Sequence, residues 1–143
     1  MSAELSLRMR TALDELSRIY TAVEEFAREE GWPSRLEYQL KLVTEEVVTN
    51  VVNHGYGQDE REGGHDIKIE LASDADKIDI EIVDDVRPYD PLTEAPAPDT
   101  DSDLPDRTVG GLGVYLVCTL MDEASYRREG DFNRLALTKR RSE

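Results

Sequence analysis

The chain has 143 residues, enough for one domain with a buried core and too few for a second large one. Its 32 acidic against 17 basic side chains give a net charge of −15, which repels a phosphate backbone, argues against a nucleic-acid partner and favours a basic protein partner. The one cysteine, Cys118, excludes an intrachain disulfide. No apolar run is long enough to span a membrane and the opening MSAELSLRMR lacks an apolar leader core, so a cytoplasmic location is expected.

In chain order, Glu4 to Met9 alternates Leu5, Leu7 and Met9 and reads as a short strand. From Ala12 to Glu30, Leu13, Leu16, Ile19, Tyr20, Val23 and Phe26 recur at helical spacing, with Gly31 as stop signal. A second helix is expected over Ser34 to His54, with Ser34 as N-cap and Glu37 completing a capping box; Gly55 and Gly57 end it. A charged turn, Gln58 to Gly64, precedes two strictly alternating segments, Asp66 to Leu71 and Lys77 to Val83, which read as an antiparallel pair. The stretch from Asp84 to Val109 is acidic, proline-rich and aperiodic; a loop of this length in a compact domain is typically functional, often a lid. A glycine-led helix over Gly110 to Met121 and strands around Ala124 to Arg128 and Arg134 to Thr138 complete the chain. The expectation is an α+β fold, a two-layer α/β sandwich of about five strands, mixed but mostly antiparallel, with helices on one face.

Three segments carry chemistry. On the second helix, Leu36, Leu40, Val43, Val47 and Val51 form an apolar stripe, and Glu46, Asn50 and Asn53 form a polar stripe beside it. A carboxylate and two amides at the edge of a core need partners. They suit a magnesium ion that takes its other ligands from water and phosphate, or else a helix end whose amides bond backbone carbonyls. At the end of a buried strand, Asp84 can accept a hydrogen bond from an exocyclic amine such as adenine's, or simply start a turn. Gly110, Gly111, Leu112 and Gly113 lead into a helix; such glycines let backbone N–H groups approach phosphates, or make a tight turn. No Walker lysine pattern is present. Asp99, Asp101 and Asp103 imitate the start of a calcium loop, but Leu104 and Gly110 stand where glycine and glutamate are required.

In this order and spacing the three segments resemble the GHKL (histidine-kinase-like) ATPase superfamily, and within it the small anti-sigma factor serine kinases of bacterial partner-switching systems. Glu46-Val-Val-Thr-Asn50-Val-Val-Asn-His54-Gly-Tyr56 is similar to that family's N-box, and Gly110-Gly-Leu-Gly113 to its glycine box. The resemblance implies the Bergerat ATP-binding fold over 1–143, with an ATP lid over about 85–109, and ATP and Mg2+ as cofactors. It implies Glu46 as general base, Asn50 as magnesium ligand, Asp84 as partner of the adenine amine, and Gly110, Gly111, Leu112 and Gly113 as the phosphate cradle. Asn53 belongs with the N-box, and Arg107 is a candidate phosphate contact; His54 is not expected to be catalytic. The implied activity is transfer of the γ-phosphoryl of ATP to a serine or threonine of a small STAS-type anti-sigma-factor antagonist. A sigma factor would be the second partner, and the assembly a homodimer. The alternative is a nucleotide-binding switch that sequesters a partner without transfer; a detached histidine-kinase ATPase part is a further alternative, disfavoured by the lack of a dimerisation helix pair. One position departs from the family pattern. The adenine-site box is Asp84-Asp85-Val86, with valine where the family has glycine. A β-branched residue resists positive φ, which bears on nucleotide affinity, on lid motion and on the choice between Asp84 and Asp85 as the acid.

Overall fold

The computed structural model describes residues 3–11, 13–54, 65–94 and 116–141. The five strands are β1 (Ala3–Arg10), β2 (Asp66–Ser73), β3 (Lys77–Asp84), β4 (Glu123–Glu129) and β5 (Phe132–Arg140). They form one sheet in the order β1-β2-β3-β5-β4. Every neighbouring pair is antiparallel, so the sheet is not mixed. A 3-10 turn (Leu13–Glu15) leads into α1 (Leu16–Glu30); α2 (Ser34–His54), the short α3 (Pro91–Glu94) and a helical segment over 116–120, α4, follow.

Strict alternation decides the two faces of the sheet. Ile67, Ile69 and Leu71 of β2, Ile78, Ile80 and Ile82 of β3, and Leu135 and Leu137 of β5 all lie in one core cluster. The helices supply the other half of that core: Ile19, Val23, Phe26 and Ala27 from α1, and Leu36, Leu40, Val43, Val47, Val48 and Val52 from α2. The opposite face, with Ser6, Glu70, Ala72, Asp79, Glu81, Ala136 and Thr138, carries no helical layer among the described residues, which leave an open hollow of about 450 Å3 there. The molecule is thus a two-layer α/β sandwich, as expected.

Local signals set the element ends. Gly31 ends α1 at φ 70°, a left-handed conformation that glycine adopts without a Cβ penalty. Its neighbour Trp32 sends its N–H to the Ala27 carbonyl (2.9 Å). The Trp32 ring stands edge-on to Phe26, and its Nε1 donates to the buried Ser73 Oγ (3.1 Å). In α2 the first intrahelical bond runs from the Glu37 N–H to the Pro33 carbonyl (3.0 Å). Pro33 therefore holds the cap position, one residue before the expected Ser34. The β2–β3 hairpin is closed by Asp74, whose Oδ1 accepts from the N–H groups of Asp76 and Lys77. Asp90 caps α3, accepting from the Leu92 N–H (2.9 Å) and the Thr93 hydroxyl (3.0 Å).

Candidate functional site

The C-terminal half of α2 lies over the ends of β3, β4 and β5. There Val47, Asn50 and Val51 face Ile82, Asp84, Val86, Tyr89, Pro91, Tyr126, Asn133 and Leu135 across a cleft. The described residues leave only about 20 Å3 in it, against roughly 300–1,000 Å3 for an open small-molecule site. Tyr89 and Pro91, just after β3, contribute to its closure. A second small cavity adjoins it, lined by Glu46, Asn50, Leu92 and Val117 among others.

Asn50 is 6 % exposed, and its Oδ1 has no hydrogen-bond partner among the described residues. A buried amide oxygen left so costs about 1–3 kcal/mol. It is also the hard oxygen donor that a magnesium ion uses, so this residue fits that ion. No group of three or more His, Cys, Asp or Glu able to hold a metal occurs among the described residues. A magnesium ion here would rely on phosphate and water for most of its ligands, as it commonly does.

Glu46, one turn before Asn50, is half-buried. Burial, with a smaller contribution from the neighbouring Glu45 carboxylate, pushes its pKa above the usual carboxylate value. The Tyr20 hydroxyl of α1 is held in its neutral form by burial and by its hydrogen bond to Glu45. Asn53 is exposed and lines neither cavity that Asn50 lines. The His54 side chain, the lid over 95–109 with Arg107, and Gly110, Gly111, Leu112 and Gly113 lie outside the described residues.

Asp84 is 5 % exposed at the end of β3. Its Oδ1 accepts from the Val86 N–H (3.2 Å) and from Asn133 Nδ2 (2.8 Å). The two readings of this residue are therefore compatible: one carboxylate oxygen starts a turn, and Oδ2 has no partner among the described residues. Burial raises the Asp84 pKa, and the Asn133 and Val86 hydrogen bonds pull the other way. Asp85 points elsewhere. Its carboxylate accepts from the Asp66 N–H (3.1 Å) and lies 3.2 Å from His65 Nδ1. Among the described residues no side chain other than glycine has positive φ, so Val86 meets no left-handed strain. Val86 is 3 % exposed and its side chain is a wall of the cleft.

Asn133, Tyr126 and Tyr89 did not stand out in the sequence. For Asn133 a signal existed: it continues inward the alternation of Leu135 and Leu137, a polar residue on an apolar stripe.

Helices stacked on one face of an open antiparallel sheet, with a polar helix edge facing a buried strand-end acid, define a class, and the chain falls in it. Residues 9–139 match the histidine kinase-like ATPase domain, and the chain belongs to that family. Within it, the chain is similar to the serine-protein kinase RsbW of Staphylococcus aureus strains JH9 and Newman, 33 % identical over 90 residues. That match covers 62 % of this chain and 57 % of the relative, so the chain spans little more than half of the relatives' length. In fold it is similar to the structure of the RsbU and RsbW domains of Rv1364c from Mycobacterium tuberculosis. The superposition has a TM-score of 0.63 at 17 % identity and covers 96 % of this chain and 32 % of that one. No helix among the described residues is long and apolar enough to cross a membrane.

Proposed function

We propose that the chain binds ATP with Mg2+ and transfers the γ-phosphoryl group to a serine or threonine hydroxyl of a protein partner. Membership of an ATPase family and similarity to serine-protein kinases support this reading. The observation that carries it is the buried Asn50 Oδ1, unpartnered among the described residues and one helical turn from half-buried Glu46, on the helix edge that faces Asp84. Magnesium would supply charge neutralisation for the phosphates. Glu46 would take the proton of the attacking hydroxyl as its oxygen bonds to phosphorus and ADP leaves. A base with a raised pKa is better matched to that task near neutrality than an ordinary carboxylate. Asp84 Oδ2 would accept from the 6-amino group of adenine, and the apolar walls Val47, Val51, Val86 and Leu135 would flank the ring. The glycines at 110, 111 and 113 with Leu112, and Arg107, would face the phosphates, with Asn53 at the outer end of the same helix edge.

The partners in this reading are a small STAS-type anti-sigma-factor antagonist as acceptor and a sigma factor as the protein held when the antagonist is phosphorylated. The acidic charge suits basic partner surfaces, and the chain would act as a cytoplasmic homodimer. Calorimetric titration of Mg·ATP tests the site: binding that needs magnesium and is lost in Asn50→Ala supports it. Undiminished phosphorylation of a cognate antagonist by Glu46→Gln would remove Glu46 as base. The closed cleft favours a second reading, a nucleotide switch that sequesters its partner without transfer. Tight ATP binding with no phosphoprotein formed would select that one.

A further inference from the structure

Asp84 and Asn133 are register partners on the adjacent strands β3 and β5, and both are 5 % exposed. Asn133 makes an unusually complete set of bonds. Its Nδ2 donates to Asp84 Oδ1 (2.8 Å) and to the Arg87 carbonyl (3.0 Å), with the Val86 carbonyl at 3.5 Å. Its Oδ1 accepts from the Tyr126 hydroxyl (2.5 Å) and the Tyr89 N–H (3.3 Å). The amide cannot be turned over, because the flipped form would set NH2 against the Tyr89 N–H and C=O against a carboxylate. It follows that Asp84 Oδ1 is used up inside the protein and Oδ2 is the oxygen left to the cleft. The same amide ties down the carbonyls of the Val86–Arg87 turn, and Arg128 Nη1 holds the Val86 carbonyl from β4 (2.9 Å).

We infer that Asn133 is the positioning residue of the base-recognition acid: it fixes Asp84 with Oδ2 toward the cleft as the acceptor and thereby sets selectivity for a 6-amino over a 6-oxo purine. The inference rests on the reading of the cleft as a nucleotide site. Among the described residues the charged and titratable groups around the pair are few. Asp85 adjoins it after β3, Arg128 and Tyr126 reach it from β4, Tyr89 and Asp90 follow the turn, and α2 presents the uncharged Asn50. An Asn133 that merely fills space would leave the pH dependence of binding alone; a donor to Asp84 would not.

The test is calorimetric titration of the full chain with Mg·ATP and Mg·GTP from pH 5 to 9, for wild type, Asn133→Leu and Asn133→Asp, each first shown to melt cooperatively. Wild type should prefer ATP and lose it as pH falls, when Asp84 takes a proton. Asn133→Leu removes the donor, so the ATP-to-GTP ratio should fall about tenfold or more and the acid loss should begin at higher pH. In Asn133→Asp a shared proton replaces the N–H donor, so ATP binding should instead fail as pH rises and that proton leaves. Variants that fold and keep the wild-type ratio and pH profile overturn the inference. ATP and GTP bound equally by wild type overturn it also while leaving the nucleotide site in place; no nucleotide bound by wild type overturns both.

Discussion

Replacing Asn50 with leucine should make the free protein more stable while abolishing its response to nucleotide. The oxygen is buried and unpartnered among the described residues, and the nearby walls include Val47, Val51, Pro91 and Leu135. Leucine keeps the γ-branched shape of asparagine with no polar atom to strand, and its greater bulk has to be taken up by the two small cavities beside it. The gain should approach the penalty of an unsatisfied buried acceptor, about 1–3 kcal/mol. For a chain of this size each kcal/mol moves the melting temperature by roughly 3 °C, so Asn50→Leu should melt about 3–9 °C above wild type without ligand. With Mg·ATP at a hundredfold excess over Kd, wild type should gain about 2.7 kcal/mol by mass action and overtake or match the variant, which should gain nothing. Differential scanning calorimetry of both proteins, with and without Mg·ATP, reads all four values. If the ligand-free variant melts at or below wild type, the orphan oxygen is not a stored cost and the metal-ligand argument loses its physical basis.

Other outcomes follow from particular contacts. Because Glu45 adds to the raised pKa of Glu46, Glu45→Gln should lower it; a base works only when ionised, so the acid limb of the phosphotransfer rate against pH should move to lower pH. Gly31→Ala meets no atom within 4 Å of the added Cβ, so its cost is the positive φ alone, about 1–2 kcal/mol in a urea melt; a larger loss would point to a clash that the geometry denies. Ser73→Ala strands the Trp32 indole N–H in the core and should cost about 1–3 kcal/mol. Trp32 is the chain's one tryptophan, so its own fluorescence reports that melt.

Much of the fold is local in origin, and that part was legible. Strands β1, β2 and β3 came from alternation, which antiparallel sheets with one wet face preserve almost unmixed. Helix α2 came from a stripe whose polar neighbours, Glu46 and Asn50, now sit at the cleft edge. The errors have local causes too. Helix α1 was expected from Ala12, but its lead-in is a 3-10 turn at Leu13–Glu15, where the Glu15 carboxylate accepts from the Arg10 N–H (2.7 Å) and from Arg18 (2.9 Å). Helix α3 was missed although Asp90-Pro91 is a cap-and-first-turn signal; four residues are too few to show periodicity. Valine at 86 departed from the glycine pattern, and among the described residues no residue other than glycine has a positive φ. The turn is made instead by the Asp84 side chain, which asks nothing special of the next two φ angles. Asn133 stayed hidden because its meaning depends on register: it meets Asp84 49 residues away only once β3 and β5 are paired.

The cleft itself is a balance between two unfinished tendencies. Its apolar walls close on one another, which removes Val47, Ile82, Val86 and Leu135 from water and is favourable without any ligand. Closure leaves the Asn50 oxygen without a partner among the described residues, which is unfavourable for as long as the cleft is shut. In the proposed function a nucleotide would have to separate the walls, and it would be compensated both by its own burial and by completing the amide's bonding through the metal. Measured affinity is then the intrinsic affinity of the open cleft reduced by the fraction of molecules in which it is open. Substitutions at Tyr89 or Pro91 that weaken closure should therefore tighten nucleotide binding without touching any group that contacts the phosphates, whereas Asn50→Leu deepens closure and removes the ligand at once.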